Sequence, residues 1–129
     1  MRSLILVFFG AGLGGALRQG TNVAWMRLVG PNATFPFATF TCNVLGSFIM
    51  GLLIAFFAFR SNSAWAPDTK LFMTTGILGG YTTFSTFSLD AAFLMERHQN
   101  FMALFYILAS VMISLLALFA GLTLVRMLS

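Results

Sequence analysis

The chain divides almost completely into four apolar segments, and each of them is long enough to cross a lipid bilayer. A spanning helix needs about 20 mainly apolar residues, and such segments lie near residues 4–26, 37–59, 70–95 and 101–126. Only 8% of the residues are charged, whereas a soluble domain carries about 25%. The pattern predicts an all-α integral membrane protein with four transmembrane helices in a single membrane domain, residues 1–129.

The basic residues are few and lie singly near the ends of these segments. A net charge of +4 without a basic patch argues against a nucleic-acid surface, which needs clustered Lys and Arg. With four spans, both termini lie on one side of the membrane, and the basic residues divide four against two or three between the two sides. Such a weak bias permits insertion in both orientations. It therefore permits an antiparallel homodimer of dual topology.

The third segment differs from the others because glycine and hydroxyl residues occupy its middle. Gly76, Gly79 and Gly80 are followed by five Ser and Thr residues up to Ser88. Each glycine inside a helix costs roughly 1 kcal/mol relative to Ala. Irregular backbone at membrane depth is tolerated only where protein buries it or where it lines a wet cavity. The sequence therefore predicts a break near residues 76–83, where freed backbone and hydroxyl groups handle an ion.

The polar chemistry available inside the segments consists mainly of uncharged hydrogen-bond donors. One His and three carboxylates provide no nucleophile–base pair and no metal-ligand cluster, which argues against an enzyme. Hydroxyl and amide protons can replace the water that a small, strongly hydrated anion loses, and conduction requires binding that is favourable but weak. The candidate donors are Thr39, Asn43, Thr83, Ser85, Thr86, Tyr106, Ser110 and Ser114.

Spacing groups some of these residues with two aromatic rings. Tyr106, Ser110 and Ser114 recur every four residues, so they form one hydroxyl stripe on a helix. Phe84 and Phe87 are three residues apart and share a face if the helix resumes after the glycines. The edge of a phenyl ring is electropositive, so two such edges can face an anion without a full charge. Ordinary core packing of both rings is the alternative.

The first segment predicts close helix packing and contains an unusual charge. Gly10 with Gly14, and Ala11 with Gly15, are small residues four apart, which allows a neighbouring helix to approach closely. Arg18 follows one turn later. A charge at this depth faces a cavity or partner, or its side chain extends to the interface; both interpretations stay open. Asn43 in the second segment is similarly either an interhelical hydrogen-bonding residue or a ligand contact.

Residues 79–88, which read GGYTTFSTFS, closely resemble the signature of the Fluc (CrcB) fluoride channel family. The four-segment layout, the Gly-rich first segment with Arg18, the Asn43 position and the hydroxyl stripe also fit that family. The resemblance implies an antiparallel, dual-topology homodimer in the bacterial inner membrane. It further implies two parallel pores per dimer, through which fluoride leaves the cell passively down its gradient.

The resemblance also implies roles for individual residues. Phe84 and Phe87 would be the rings that face fluoride, and Arg18 would support an aqueous vestibule. The backbone carbonyls of Gly79 and Thr82, taken from both subunits, would hold a central structural Na⁺. The other candidate pore residues are Thr39, Asn43, Thr83, Ser85, Tyr106, Ser110 and Ser114.

Two positions depart from the family pattern, and two other classes of protein are alternatives. Tyr81 stands where an aliphatic residue is expected, and Asp90 stands where Glu is expected. One alternative is a small four-helix dual-topology exporter of drugs or cations that works by alternating access, with Asp90 as its candidate carboxylate. The other is a structural membrane subunit whose glycines and hydroxyls serve packing alone. Ion flux that responds to fluoride but not to a pH gradient distinguishes the channel from both.

Overall fold

The protein consists of helices joined by short turns in the computed structural model, which describes residues 1–60, without the Arg60 side chain, and residues 62–129. The helices are α1 (Arg2–Val29), α2 (Phe37–Arg60), α3 (Ala66–Leu71), α4 (Gly79–Tyr81), α5 (Phe84–Glu96) and α6 (Asn100–Leu128). A π-helical segment, Phe72–Leu78, lies between α3 and α4. These ranges contain no strand, so the all-α prediction is confirmed.

Three helices of the described chain are long and apolar enough to cross a membrane: α1, α2 over Phe37–Phe59, and α6. Their outer faces expose large apolar side chains, such as Phe8, Leu116 and Phe119. Exposed apolar surface of this extent is typical of a face that lipid covers. The third predicted segment corresponds to a succession of shorter elements from α3 to α5.

Glycine contacts bring α1 close to the π-helical segment. Gly10 lies against Gly76, where an added Cβ would stand 2.7 Å from the Gly76 Cα. One turn further along α1, Gly14 lies against the Ile77 carbonyl. Backbones can approach this closely only where no side chain intervenes. The predicted packing role of Gly10 and Gly14 is confirmed, whereas Gly15 has no neighbour within 4 Å and takes no part in this contact.

A second close crossing joins α2 to α6. Gly51 of α2 lies against the Leu118 carbonyl, and Gly121 of α6 lies against the Phe48 carbonyl. Each glycine thus makes room for the backbone of the other helix. The crossing holds α6 beside α2, so polar residues of both helices can line one surface.

The packing of α5 on α6 forms an apolar core near one end of the molecule. Its buried members are Phe87, Ala91, Leu94, Ala103 and Tyr106. Tyr106 has no exposed surface, so its hydroxyl needs a partner within the protein. The core fixes α5, and with it the first turn of α5, against the polar face of α6.

Candidate functional site

The chain leaves helical geometry at two consecutive residues between α4 and α5. Thr82 has φ −79° and ψ 157°, and Thr83 has φ −155° and ψ 118°. Both are extended conformations that any residue can adopt. Gly79 and Gly80, on which the predicted break near residues 76–83 partly depends, are themselves helical. The extended pair therefore lies at the C-terminal end of the predicted interval, and threonine rather than glycine forms it.

The side chain of Asn43 in α2 replaces the helical hydrogen bonds of Thr83. Asn43 Oδ1 accepts from the Thr83 N–H at 2.7 Å, and Asn43 Nδ2 donates to the Thr83 carbonyl at 3.0 Å. In a continuous α-helix the Thr83 N–H would donate to the carbonyl of Gly79, four residues earlier. The amide of Asn43 thus satisfies both backbone groups of Thr83 and leaves the Gly79 carbonyl without its usual helical donor.

The hydroxyl of Thr83 starts the next helix. Thr83 Oγ1 accepts from the Thr86 N–H at 3.2 Å and donates to Thr86 Oγ1 at 3.1 Å. Ser85 Oγ lies 3.3 Å from the same Thr83 oxygen. A threonine that accepts from the third residue of a helix is a favourable N-cap. In a continuous helix the Thr86 N–H would donate to the Thr82 carbonyl, so the cap releases that carbonyl as well.

The released Thr82 carbonyl lies beside the side chain of Arg18. Arg18 Nη1 donates to it at 3.4 Å, which is long for a hydrogen bond between nitrogen and oxygen. The Thr82 N–H and hydroxyl both donate to the Leu78 carbonyl at 2.9 Å. Of the two interpretations open for Arg18, the structure has the half-buried guanidinium in contact with the protein backbone.

Two aromatic rings follow the extended pair, and their surroundings differ. The centroids of Phe84 and Phe87 are 5.4 Å apart at an interplanar angle of 48°, and Phe87 lies 5.3 Å from Tyr106. Phe87 is 8% exposed, whereas Phe84 is 77% exposed. Phe87 therefore belongs to the core between α5 and α6, and Phe84 stands on the outside of the single chain.

A groove of about 390 Å³ runs between these rings and the serines of α6. The hydroxyl oxygens of Ser110 and Ser114 are buried in it and have no hydrogen-bond partner among the described residues. A buried polar group without a partner costs about 1–3 kcal/mol, so such a pair calls for a ligand, an ion or water. The predicted candidates that line this groove are Asn43, Thr82, Thr83, Phe84, Phe87, Ser110 and Ser114.

A second cavity, of about 190 Å³, lies at one of the remaining candidates, Thr39. Thr39 and Asp90 line it, and the Tyr106 hydroxyl donates to Asp90 Oδ2 at 3.2 Å. Tyr106 also contacts Phe87, so it touches one residue of the groove and one of the second cavity, although it lines neither. Most of the predicted pore residues thus line the groove, and Thr39 lines the second cavity. Ser85 is exposed near the N-cap.

Two residues that the sequence marked as departures from a family pattern take part in these contacts. Asp90 bonds Tyr106, and a carboxylate inside an apolar segment was itself a signal for a functional position. The Tyr81 hydroxyl lies 3.0 Å from Thr21 Oγ1 of α1. No local pattern marks Thr21, because its partner is 60 residues away.

The long apolar helices, and the groove with its two buried serine hydroxyls, define a multi-pass helical membrane protein. Residues 5–122 match the family described as "CrcB-like protein, Camphor Resistance (CrcB)", and the chain belongs to this CrcB-like family. It is 50% identical over 131 aligned positions to the "Fluoride-specific ion channel FluC" of Beijerinckia indica subsp. indica, with 100% of both chains covered. Proteins of the same name from Rhodopseudomonas palustris and Mesorhizobium japonicum are each 49% identical, with 95% and 98% of both chains covered.

Proposed function

We propose that this protein is a fluoride-selective channel of the bacterial inner membrane, through which fluoride leaves the cytoplasm passively. Relatives of about 50% identity, which align over nearly the whole chain, carry the name fluoride-specific ion channel. These names support an ion channel and not an enzyme. The names of the relatives give no support to an exporter of drugs or cations.

The observation that carries the proposal is the pair of unpartnered hydroxyls, Ser110 and Ser114, in a groove that Phe87 also lines. A hydroxyl proton is a strong donor to a small anion, and the electropositive edge of a phenyl ring adds a weaker attraction. Neither group is charged, so neither binds the anion too tightly for flow. Among the halides, fluoride gains the most free energy from such donors, because it is the smallest and the strongest hydrogen-bond acceptor.

Asn43 can serve the backbone and the anion together. Its Nδ2 atom has two N–H groups, and one of them donates to the Thr83 carbonyl. The second N–H is available to the groove, which Asn43 lines. Because the first bond fixes the amide plane, the second donor is held in one direction. A preorganised donor loses little entropy when an ion arrives.

The proposed path follows the polar face of α6. Fluoride would exchange part of its water for the hydroxyls of Ser114 and Ser110, which are one helical turn apart, about 5.4 Å. It would then pass the edge of Phe87 and reach the space lined by Thr39 and Asp90. Tyr106 contacts Phe87, and its hydroxyl donates to Asp90. In this scheme Tyr106 holds the Phe87 ring in place where the anion would pass it.

The proposed assembly is an antiparallel, dual-topology homodimer with two pores. Phe84 is 77% exposed in the single chain although it lines the groove. Lipid cannot form the wall of a hydrated path, because the hydrocarbon offers no hydrogen bonds to an anion. A second copy is the simplest wall, and its contact would enclose Phe84.

The proposed sodium ligands fit the backbone geometry of the chain. The carbonyls of Gly79 and Thr82 both lose their helical donors, because Asn43 and the Thr83 hydroxyl take those N–H groups. Unwound carbonyls are the groups that bind alkali ions in membrane proteins. Two chains would provide four such oxygens at a two-fold axis. Sodium bound there would supply a fixed positive charge between the two subunits.

Fluoride efflux from proteoliposomes tests the proposal. We expect purified protein to release fluoride under a fluoride gradient, with chloride efflux far slower and with no dependence on an imposed pH gradient. Flux that requires a proton gradient would favour the exporter. No flux of either halide would favour the structural subunit.

A further inference from the structure

The first helix contacts two consecutive residues at the end of α4. Thr21 and Arg18 are three residues apart and therefore lie on one face of α1. Thr21 Oγ1 is 3.0 Å from the Tyr81 hydroxyl, and Arg18 Nη1 is 3.4 Å from the Thr82 carbonyl. Tyr81 is buried, so the first contact anchors α1. The backbone of Arg18 therefore stays close enough for its side chain to reach the Thr82 carbonyl.

The hydrogen bonds of the extended pair are unequal. The Thr83 N–H and carbonyl have partners at 2.7 and 3.0 Å, and the Thr82 N–H has a partner at 2.9 Å. The Thr82 carbonyl has the 3.4 Å contact with Arg18. It is the most weakly bonded backbone group of the pair, and its partner is the positively charged guanidinium of Arg18.

We propose that Arg18 sets the sodium affinity of the Thr82 carbonyl, because its guanidinium and the ion compete for the same oxygen. This inference rests on the sodium site proposed above. Two positive charges at one oxygen repel each other. Sodium binding therefore displaces the guanidinium from Thr82, while the Thr21–Tyr81 contact keeps α1 in place. The protein occupies its own cation site with Arg18 until sodium arrives.

Replacement of Arg18 distinguishes competition with sodium from the alternative, in which the Arg18 charge stabilises the site. Arg18→Gln removes the positive charge that repels sodium. It also removes the cation that competes for the Thr82 carbonyl, so both effects raise the sodium affinity. We expect half-maximal thermal stabilisation of the detergent-purified protein at an NaCl concentration at least about tenfold lower than in the wild type, since ligand stabilisation follows the ratio of concentration to Kd. Choline chloride keeps the ionic strength constant.

Two variants are matched controls. Arg27→Gln removes the same charge from an exposed position in the last turn of α1, and we expect a wild-type NaCl midpoint. Arg18→Lys keeps the charge, and we expect a midpoint within about threefold of the wild type. An Arg18→Gln midpoint equal to or higher than the wild-type value overturns the inference.

The wild-type protein provides a second test that needs no substitution. We expect the guanidinium nitrogen resonances of Arg18 to shift on addition of NaCl and to stay unchanged in choline chloride. Resonances that do not move, although NaCl stabilises the protein, contradict the competition but leave the sodium site intact. If NaCl stabilises neither the wild type nor Arg18→Gln, the sodium site and the inference both fail. The fluoride efflux assay then still tests the proposed channel function independently.

Discussion

Replacement of Asn43 by Leu tests how the extended pair is maintained. The substitution keeps the approximate size of the side chain but removes both partners of Thr83, the acceptor at 2.7 Å and the donor at 3.0 Å. Thr83 is 8% exposed, so water has little access to the two orphaned groups. Each unsatisfied buried group costs about 1–3 kcal/mol, which gives a total of about 2–6 kcal/mol.

The assay is thermal unfolding in detergent, followed by tryptophan fluorescence. A loss of about 2 kcal/mol lowers Tm by roughly 4–16 °C, depending on the entropy of unfolding. Asn32→Leu is the control, because Asn32 is exposed in the loop after α1, and we expect its Tm to stay near the wild-type value.

The segment from α4 to α5 could avoid the loss of hydrogen bonds at Thr83 by one rearrangement, and amide hydrogen exchange detects that rearrangement. If α4 and α5 joined into a continuous helix, the Thr83 N–H would return to the Gly79 carbonyl. Amide exchange at Thr83 would then stay slow, Tm would change little and fluoride flux would be lost. An Asn43→Leu protein with unchanged Tm, unchanged exchange and unchanged flux would refute the assignment of Asn43 to this contact.

Three further predictions concern the pore and the helix packing. Phe84→Ile and Phe87→Ile each lower fluoride efflux sharply, while the elution volume in size-exclusion chromatography stays that of the wild type; unchanged efflux for both would reject the aromatic role. Tyr106→Phe and Ser110→Ala reduce single-channel fluoride current less than the Phe changes do, since water or a neighbouring hydroxyl can substitute. Ser110→Ala does not lower Tm, because the Ser110 hydroxyl has no hydrogen-bond partner among the described residues. Gly14→Ala destabilises the protein by about 1–3 kcal/mol, because the new methyl group meets the Ile77 backbone, whereas Gly20→Ala does not lower Tm, because a Cβ added there meets nothing within 4 Å and Ala favours the helix over Gly.

The apolar segments predicted the long helices well, because hydrophobic length is a local property. The segment predicted near residues 4–26 is α1, Arg2–Val29, and the segment near 101–126 is α6, Asn100–Leu128. The ends differ by one to three residues, since helices continue beyond the hydrocarbon-length core of the pattern.

The position of the extended pair was harder to predict, because its cause lies elsewhere in the chain. Glycine content favoured an interval from residue 76 onward, but Gly79 and Gly80 stay helical. What displaces the helical bond of Thr83 is the amide of Asn43, 40 residues earlier. Sequence spacing within one segment carries no information about such a partner.

The hydroxyl stripe of α6 was predictable in part. Its four-residue period identified Ser110 and Ser114, whose hydroxyls are both buried in the groove. The same period gave Tyr106 an equivalent role, but the Tyr106 hydroxyl turns toward Asp90 on α5. The length of the tyrosine side chain decides this difference, because its oxygen lies far from the helix axis and reaches a neighbouring element.

A density map of the protein in lipid nanodiscs with fluoride present would show both the extended pair and the bound anion. We expect an extended Thr82–Thr83 pair, with anion density between the Phe87 edge and the Ser110 hydroxyl. A map that traces α4 and α5 as one straight helix, with Phe84 and Phe87 both turned into the acyl chains, would contradict it.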